Sequence, residues 1–454
     1  MQQRPTDLLS AGCYVLLGLL GLAAGSPLAG QPPELTETVP LNADLLVVEL
    51  WDADLDILVS ADTKPVLRTE ASPQGYSVDV DLRAAEETAS GVTTMHFRRA
   101  ASADARLRVE MVVHPEQQLQ IAGRGLDIVL ASSGDAPARV ELAVEESEAF
   151  LSGVRDLHAE VTGTSLRLAE TGGDLDLNLT SGALEMLGHQ GSLKLSSTEA
   201  DIEMADFEGR LETTLEGGSL RMDRGAGAWS GQARDTLLFF GGWRGELELT
   251  AWDSTFEARG AAEPALLWKL SGAGLTVILE ETEGPLEIDL AGGRLQARGV
   301  RGDGKTTLKL SDGAEARLAE VDGALAVTAE DGEVEANEVA VLELSASRST
   351  VALGNVHDLR RLDATDSTLT VDLTAITSAP YFLLAGRSEA EISLATPCAV
   401  RISAASTAPG SQAEVTGCEL RLPTKKRFKP LDQGPQLVLT VTLNGESVLR
   451  VEGQ

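Results

Sequence analysis

The chain has 454 residues, a formal net charge of −33 and only 4% aromatic residues. That length admits two or three ordinary domains or one long repeat array, and the charge argues against direct binding to nucleic acid or to an anionic membrane face. With 45 glycines and so few aromatics, the expected core is aliphatic and closed by many tight turns, which points to short strands in an all-β fold.

Residues 1–30 read as a secretory signal peptide: Arg4 supplies a positive start, Tyr14 to Ala24 is apolar, and small residues follow through Ala29. The apolar run is far shorter than the roughly 20 residues that span a bilayer. Cys13 precedes that run, which does not suit a lipidated cysteine, so Cys398 and Cys418 are the two cysteines expected in the mature chain. In an oxidising compartment they are expected to form one structural disulfide. No second apolar segment of membrane length occurs in the sequence. The expectation is therefore an extracytoplasmic protein, in the periplasm, at the cell surface or secreted, without a transmembrane segment after signal cleavage.

The segment 31–150 contains strand-like alternations at Leu45 to Leu50, Tyr76 to Leu82 and Leu107 to Val113. They lack a clean period, so this part is expected to cap a repeat array or to begin it. Asp52, Asp54 and Asp56 alternate with Ala53, Leu55 and Ile57, which puts three carboxylates on one strand face. They read as a solvated acidic face, because the glycine and glutamate that a calcium loop needs are missing.

From Asp156 the sequence repeats in blocks of 18, such as DLDLNLTSGALEMLGHQG and RLETTLEGGSLRMDRGAG, with clear repeats across 151–378. The eleventh column reads Leu166, Leu184, Ile202, Leu220, Leu238, Phe256 and the thirteenth Leu168, Met186, Met204, Met222, Phe240, Ala258, with mostly polar residues between. The second and fourth columns alternate in the same way, as in Leu175, Asp176, Leu177. Each block thus offers two short half-buried strands. Stacked about 4.8 Å apart, the blocks make a single-stack β-solenoid resembling a parallel β-helix, with β caps at both ends. Two blocks, 264–284 and 303–323, carry three extra residues, and 324–340 is one short.

Within the repeat, Trp229 and Trp268 fall in an inward column, whereas Trp243 and Trp252 fall at turns, where they pack locally or form an exposed platform for a glycan or partner. Residues 299–306 match the phosphate-loop pattern, but Thr307 to Leu310 alternates as a strand where that loop needs a helix. In the same inserted turn Arg301, Gly302 and Asp303 spell a tripeptide found in integrin ligands. The last segment, 379–454, reads as a C-terminal cap: Leu437 to Val451 alternates about Asn444 and Gly445, a signal for a hairpin through a type I′ turn. Before it Lys425, Lys426, Arg427 and Lys429 form a basic knot, either a solvated loop or a contact for an anionic headgroup, a polysaccharide or an acidic neighbour.

The order of parts resembles the bacterial family of adhesin-labelled β-strand-repeat domains of unknown function. The resemblance rests on the strand pair Leu45 to Val59, the strand-Pro-strand unit Val109 to Ile121 around Pro115, and the punctuation at Thr180-Ser181-Gly182 and Glu330 to Val334, over roughly residues 45–375. It implies an envelope or surface role without a characterised ligand. No HExxH, Gly-x-Ser-x-Gly or paired-cysteine metal motif occurs in the sequence. The expectation is a non-catalytic envelope or surface interaction protein, with no cofactor and with a glycan or an envelope protein as partner. The alternatives are a polysaccharide-acting β-helix enzyme and an accessory of envelope-stress sensing.

Overall fold

The alternation of each repeat becomes two strands whose apolar side chains all turn to one interior. Leu166, Leu184, Ile202, Leu220, Leu238 and Phe256 are each at most 2% exposed, and so are Met186, Met204 and Met222. The computed structural model describes residues 38–40, 44–63, 66–70, 76–84, 91–99, 107–132, 139–260, 266–302, 304–376, 378–402, 411–421 and 437–454. The expected signal segment, Asp303 and the basic knot at Lys425, Lys426, Arg427 and Lys429 lie outside the described residues. The described residues are all-β without a helix and form a parallel β-solenoid of about 15 turns with about 19 residues per turn.

Two parallel sheets face each other across the interior. In the first, Leu157 pairs with Leu175, Leu211 with Trp229, Trp229 with Leu247 and Leu247 with Trp268. In the second, Ala149 pairs with Leu166, Ile202 with Leu220, Leu220 with Leu238 and Leu238 with Phe256. The three extra residues enter between Thr255 and its partner Thr276, and again between Arg294 and Glu315, without shifting which side chains point inward. Each coil buries too little apolar surface to stand alone, so the stack is held by nearest-neighbour contacts.

Both corners of a coil pass through a left-handed residue. At one corner Gly163, Ser181, Glu199, Gly217, Asp235 and Asp253 have φ between 49° and 70°. The next residue is often a buried hydroxyl that holds the turn. Thr236 Oγ1 donates to the Arg234 carbonyl at 2.7 Å, and the Thr236 N–H donates to Ser254 Oγ of the following coil at 3.1 Å. Ser349, Ser367 and Ser388 continue the same ladder, with N–H to Oγ bonds from Gly332, Ser349 and Ser367. This satisfies backbone donors that would otherwise be buried without partners. At the other corner the glycines stack. A Cβ on Gly209 would overlap the Gly191 carbonyl, and one on Gly227 would overlap the Gly209 carbonyl.

The ends of the stack depart from sequence order. The first coil, Leu45–Trp51 and Ala53–Val59, lies between the coil of Gly91–Arg99 and Leu107–Val113 and that of Gln118–Arg124 and Asp127–Ser132. Beyond it Val66–Glu70 runs antiparallel to Leu107–Val113, Thr38–Pro40 to Val66–Glu70, and Tyr76–Ala84 to Gly91–Arg99. Reversed strands of this kind close the parallel edge.

The other end repeats the device and corrects the hairpin expectation. Leu437–Leu443 pairs in parallel with Tyr381–Ala385 on one side and Cys398–Ile402 on the other. Val448–Gly453 likewise lies between Glu389–Leu394 and Gln412–Thr416. Asn444 and Gly445 therefore turn the corner of a coil. Of the two, only Gly445 has positive φ, at 74°, whereas a type I′ turn requires both.

Candidate interaction surface

Residues between the inward columns form two long outer faces. On the second sheet, guanidinium and carboxylate groups pair from coil to coil: Arg167 with Glu185 at 3.3 Å, Arg294 with Glu315 at 2.8 Å, Arg298 with Glu320 at 2.9 Å and Arg348 with Asp331 at 2.6 Å. Hydrogen bonding to Arg348 holds the Asp331 carboxyl below the usual carboxylate range, and Asp331 and Glu330 raise Arg348 in turn. These exposed pairs set register more than stability, since solvent screens their attraction.

The first sheet carries a different track. Thr214 pairs with Gln232, Gln232 with Thr250 and Thr250 with Ser271 in register. The 18-residue step extends this column back through Ser196 to Asn178, which pairs with Glu160. All six lie between inward neighbours and reach the surface. Thr250 and Ser271 hydroxyls meet at 3.2 Å.

The tryptophans divide. Trp229 and Trp268 are buried, as their column requires. Trp243 is 1% exposed, so it belongs to the core and to no surface platform. It follows the left-handed Gly242, which swings the next side chain inward, into the room left by Gly225 of the preceding coil, where a Cβ would strike the indole. There it stacks with Phe207 at 6.3 Å, and Phe207 stacks with His189 at 5.3 Å. His189 is fully buried, its Nδ1 is 3.1 Å from Thr171 Oγ1, and burial lowers its pKa against a smaller opposing effect of the Ser192 backbone. Trp252 alone of the turn pair stays half-buried on the outer face, with the Arg234 guanidinium 5.8 Å from its ring centre.

Arg301 and Gly302 are exposed, but Arg301 is stacked on the coil below. Its N–H donates to the Thr282 carbonyl at 2.9 Å and its carbonyl accepts from Gly284 at 2.8 Å. Lys305 opens the strand Lys305–Ser311 and lies 3.5 Å from Glu343, so the phosphate-loop pattern has no helix N-terminus to offer. Asp56 is paired with Arg108 at 2.9 Å. Among the described residues no group of three or more His, Cys, Asp or Glu is placed to hold a metal ion. An apolar void of about 10 Å³ beneath the second insertion, lined by Leu286, Val300, Leu318 and Val321, has room for about one water.

Cys398 and Cys418 are disulfide-bonded, with Cα atoms 4.9 Å apart and a separation of 20 residues. Ala399 pairs with Glu419, so the bond joins one coil to the next at stacked positions. Among the described residues no helix is long and apolar enough to cross a membrane. Comparison with protein-family models, with curated proteins and with solved structures gives no match.

Proposed function

We propose that the chain is an exported, non-catalytic interaction protein of the cell envelope or surface, with a glycan or an envelope protein as its partner. The observation that carries this reading is the pair of long, regular outer faces, built from register-matched polar residues on a solenoid whose last layer is closed by a disulfide. A disulfide at that place suits an oxidising compartment. The resemblance of residues 45–375 to adhesin-labelled repeats supports the same role, and the composition of residues 1–30 supports export. A face of this kind binds by matching the spacing of a repeating partner, and it needs no reactive group.

The test is a binding and turnover screen of the purified protein against acidic and neutral glycans and envelope extracts. Saturable binding without consumption of the partner is expected. Turnover that a single carboxylate substitution abolishes would sink the reading in favour of a glycan-cleaving β-helix enzyme.

A further inference from the structure

We propose that the outer face of the first sheet, along Asn178, Ser196, Thr214, Gln232, Thr250 and Ser271, binds a linear, uncharged polysaccharide laid along the stack. The proposal rests on the interaction-protein reading and names its ligand class and its face.

The column is uncharged through six successive coils, bounded by Glu160 at one end and Asp289 at the other. One other outward column, through Leu58, Ala131, Ser152, Ala169, Leu187 and Ala205, is uncharged as far, but of these only Ser152 has a polar side chain. The remaining outward columns among the described residues meet a charge within about four coils. Among the described residues, the side chains of Asn178, Ser196, Thr214 and Gln232 make no hydrogen bond within the protein. Their donors and acceptors are therefore turned to solvent, one set per coil. An extended chain of sugar rings advances by about one strand spacing, roughly 5 Å, per ring, so a linear glycan meets one hydroxyl or amide with each ring over about 24 Å.

Charge selects among polymers. An anionic chain is repelled by a protein of net charge −33. A neutral chain has no charge to desolvate on an uncharged track, and its hydroxyls both donate and accept as Ser, Thr, Asn and Gln do. Trp252 stands two residues from Thr250 on the same strand face, its indole steadied by Arg234 and followed in register by the small Ala273. It offers an apolar neighbour to the C–H surface of a sugar at that end of the track.

Isothermal titration with β-1,4-linked hexamers of glucose and of mannose as neutral probes, and with polygalacturonate and a chitosan oligomer as charged ones, tests this. At least one neutral hexamer should bind, with the charged polymers much weaker. The double variant Gln232→Glu with Thr250→Glu should lose at least tenfold in affinity at an unchanged melting temperature, since both residues point outward. Trp252→Ala should lose several-fold, and Glu203→Lys on the opposite face nothing. Binding of a neutral hexamer that the double variant retains overturns the track but leaves the interaction-protein reading standing. Binding of neither neutral hexamer, or preference for a charged polymer, also overturns the proposal, and hydrolysis of any probe overturns the reading beneath it.

Discussion

Met204 is 2% exposed, while its neighbour Glu203 faces solvent, and the two ask opposite things of a substitution. Met204→Lys places an uncompensated charge between Met186 and Met222 in the thirteenth column and should cost about 3–5 kcal/mol. Glu203→Lys should change stability by less than about 0.5 kcal/mol, as outward substitutions usually do. Thermal melts of the two variants check this, and equal, small shifts would mean that the column is not core. Columns such as this were legible because strand side chains alternate strictly, so one polar position between two apolar ones fixes all three. Trp243 was not legible for the complementary reason. A left-handed residue breaks the alternation, and the side chain after Gly242 turns inward where a strand rule has no say. The buried hydroxyls at Thr236, Ser254, Ser349 and Ser367 left a signal in the ninth column, which holds mainly Ser, Thr, Gly and Ala, but its meaning depends on the coil above.

At the scale of elements, the disulfide and the last two strands act on the same layer. Cys398–Ile402 is held on one side by Leu437–Leu443 and on the other by Glu419–Arg421, and the disulfide ties it to the latter. Closing a loop of about 20 residues is expected to stabilise this layer by about 3 kcal/mol. Intact-mass analysis of protein exported to an oxidising compartment should show both thiols blocked until reductant is added. Hydrogen exchange after reduction should then rise in 398–421 ahead of the central coils, and two free thiols in the unreduced sample would refute the pairing. The pairing was readable from the cysteine count together with the expected export. The hairpin at Asn444 was misread because a coil corner and a hairpin turn share one local pattern, two alternating strands about a glycine. What separates them is whether the strands pair with each other or with coils above and below, and that lies far away in sequence.

Across the whole molecule, a solenoid's stability is close to a sum of coil and neighbour terms, so trimming a terminal coil usually removes one interface. This chain does not end that way. The coil of Leu437–Leu443 and Val448–Gly453 is clamped between 381–394 on one side and the strands Cys398–Ile402 and Gln412–Thr416 on the other, and its removal breaks both interfaces at once. The layer of 398–402 and 411–421 then loses its support, and the parallel edge of Tyr381–Ala385 and Glu389–Leu394 is left open. An open parallel edge is a template for pairing with another chain. Truncation after residue 436 is therefore expected to leave the central coils folded, to expose 398–421 to proteolysis and exchange, and to drive concentration-dependent association through the uncovered edge. Light scattering after size exclusion, together with hydrogen exchange, measures both effects. A truncated protein that stays monomeric with 398–402 and 411–421 still protected would mean that the last coil is an ordinary cap, and that the order of coils at this end is not what holds the stack closed.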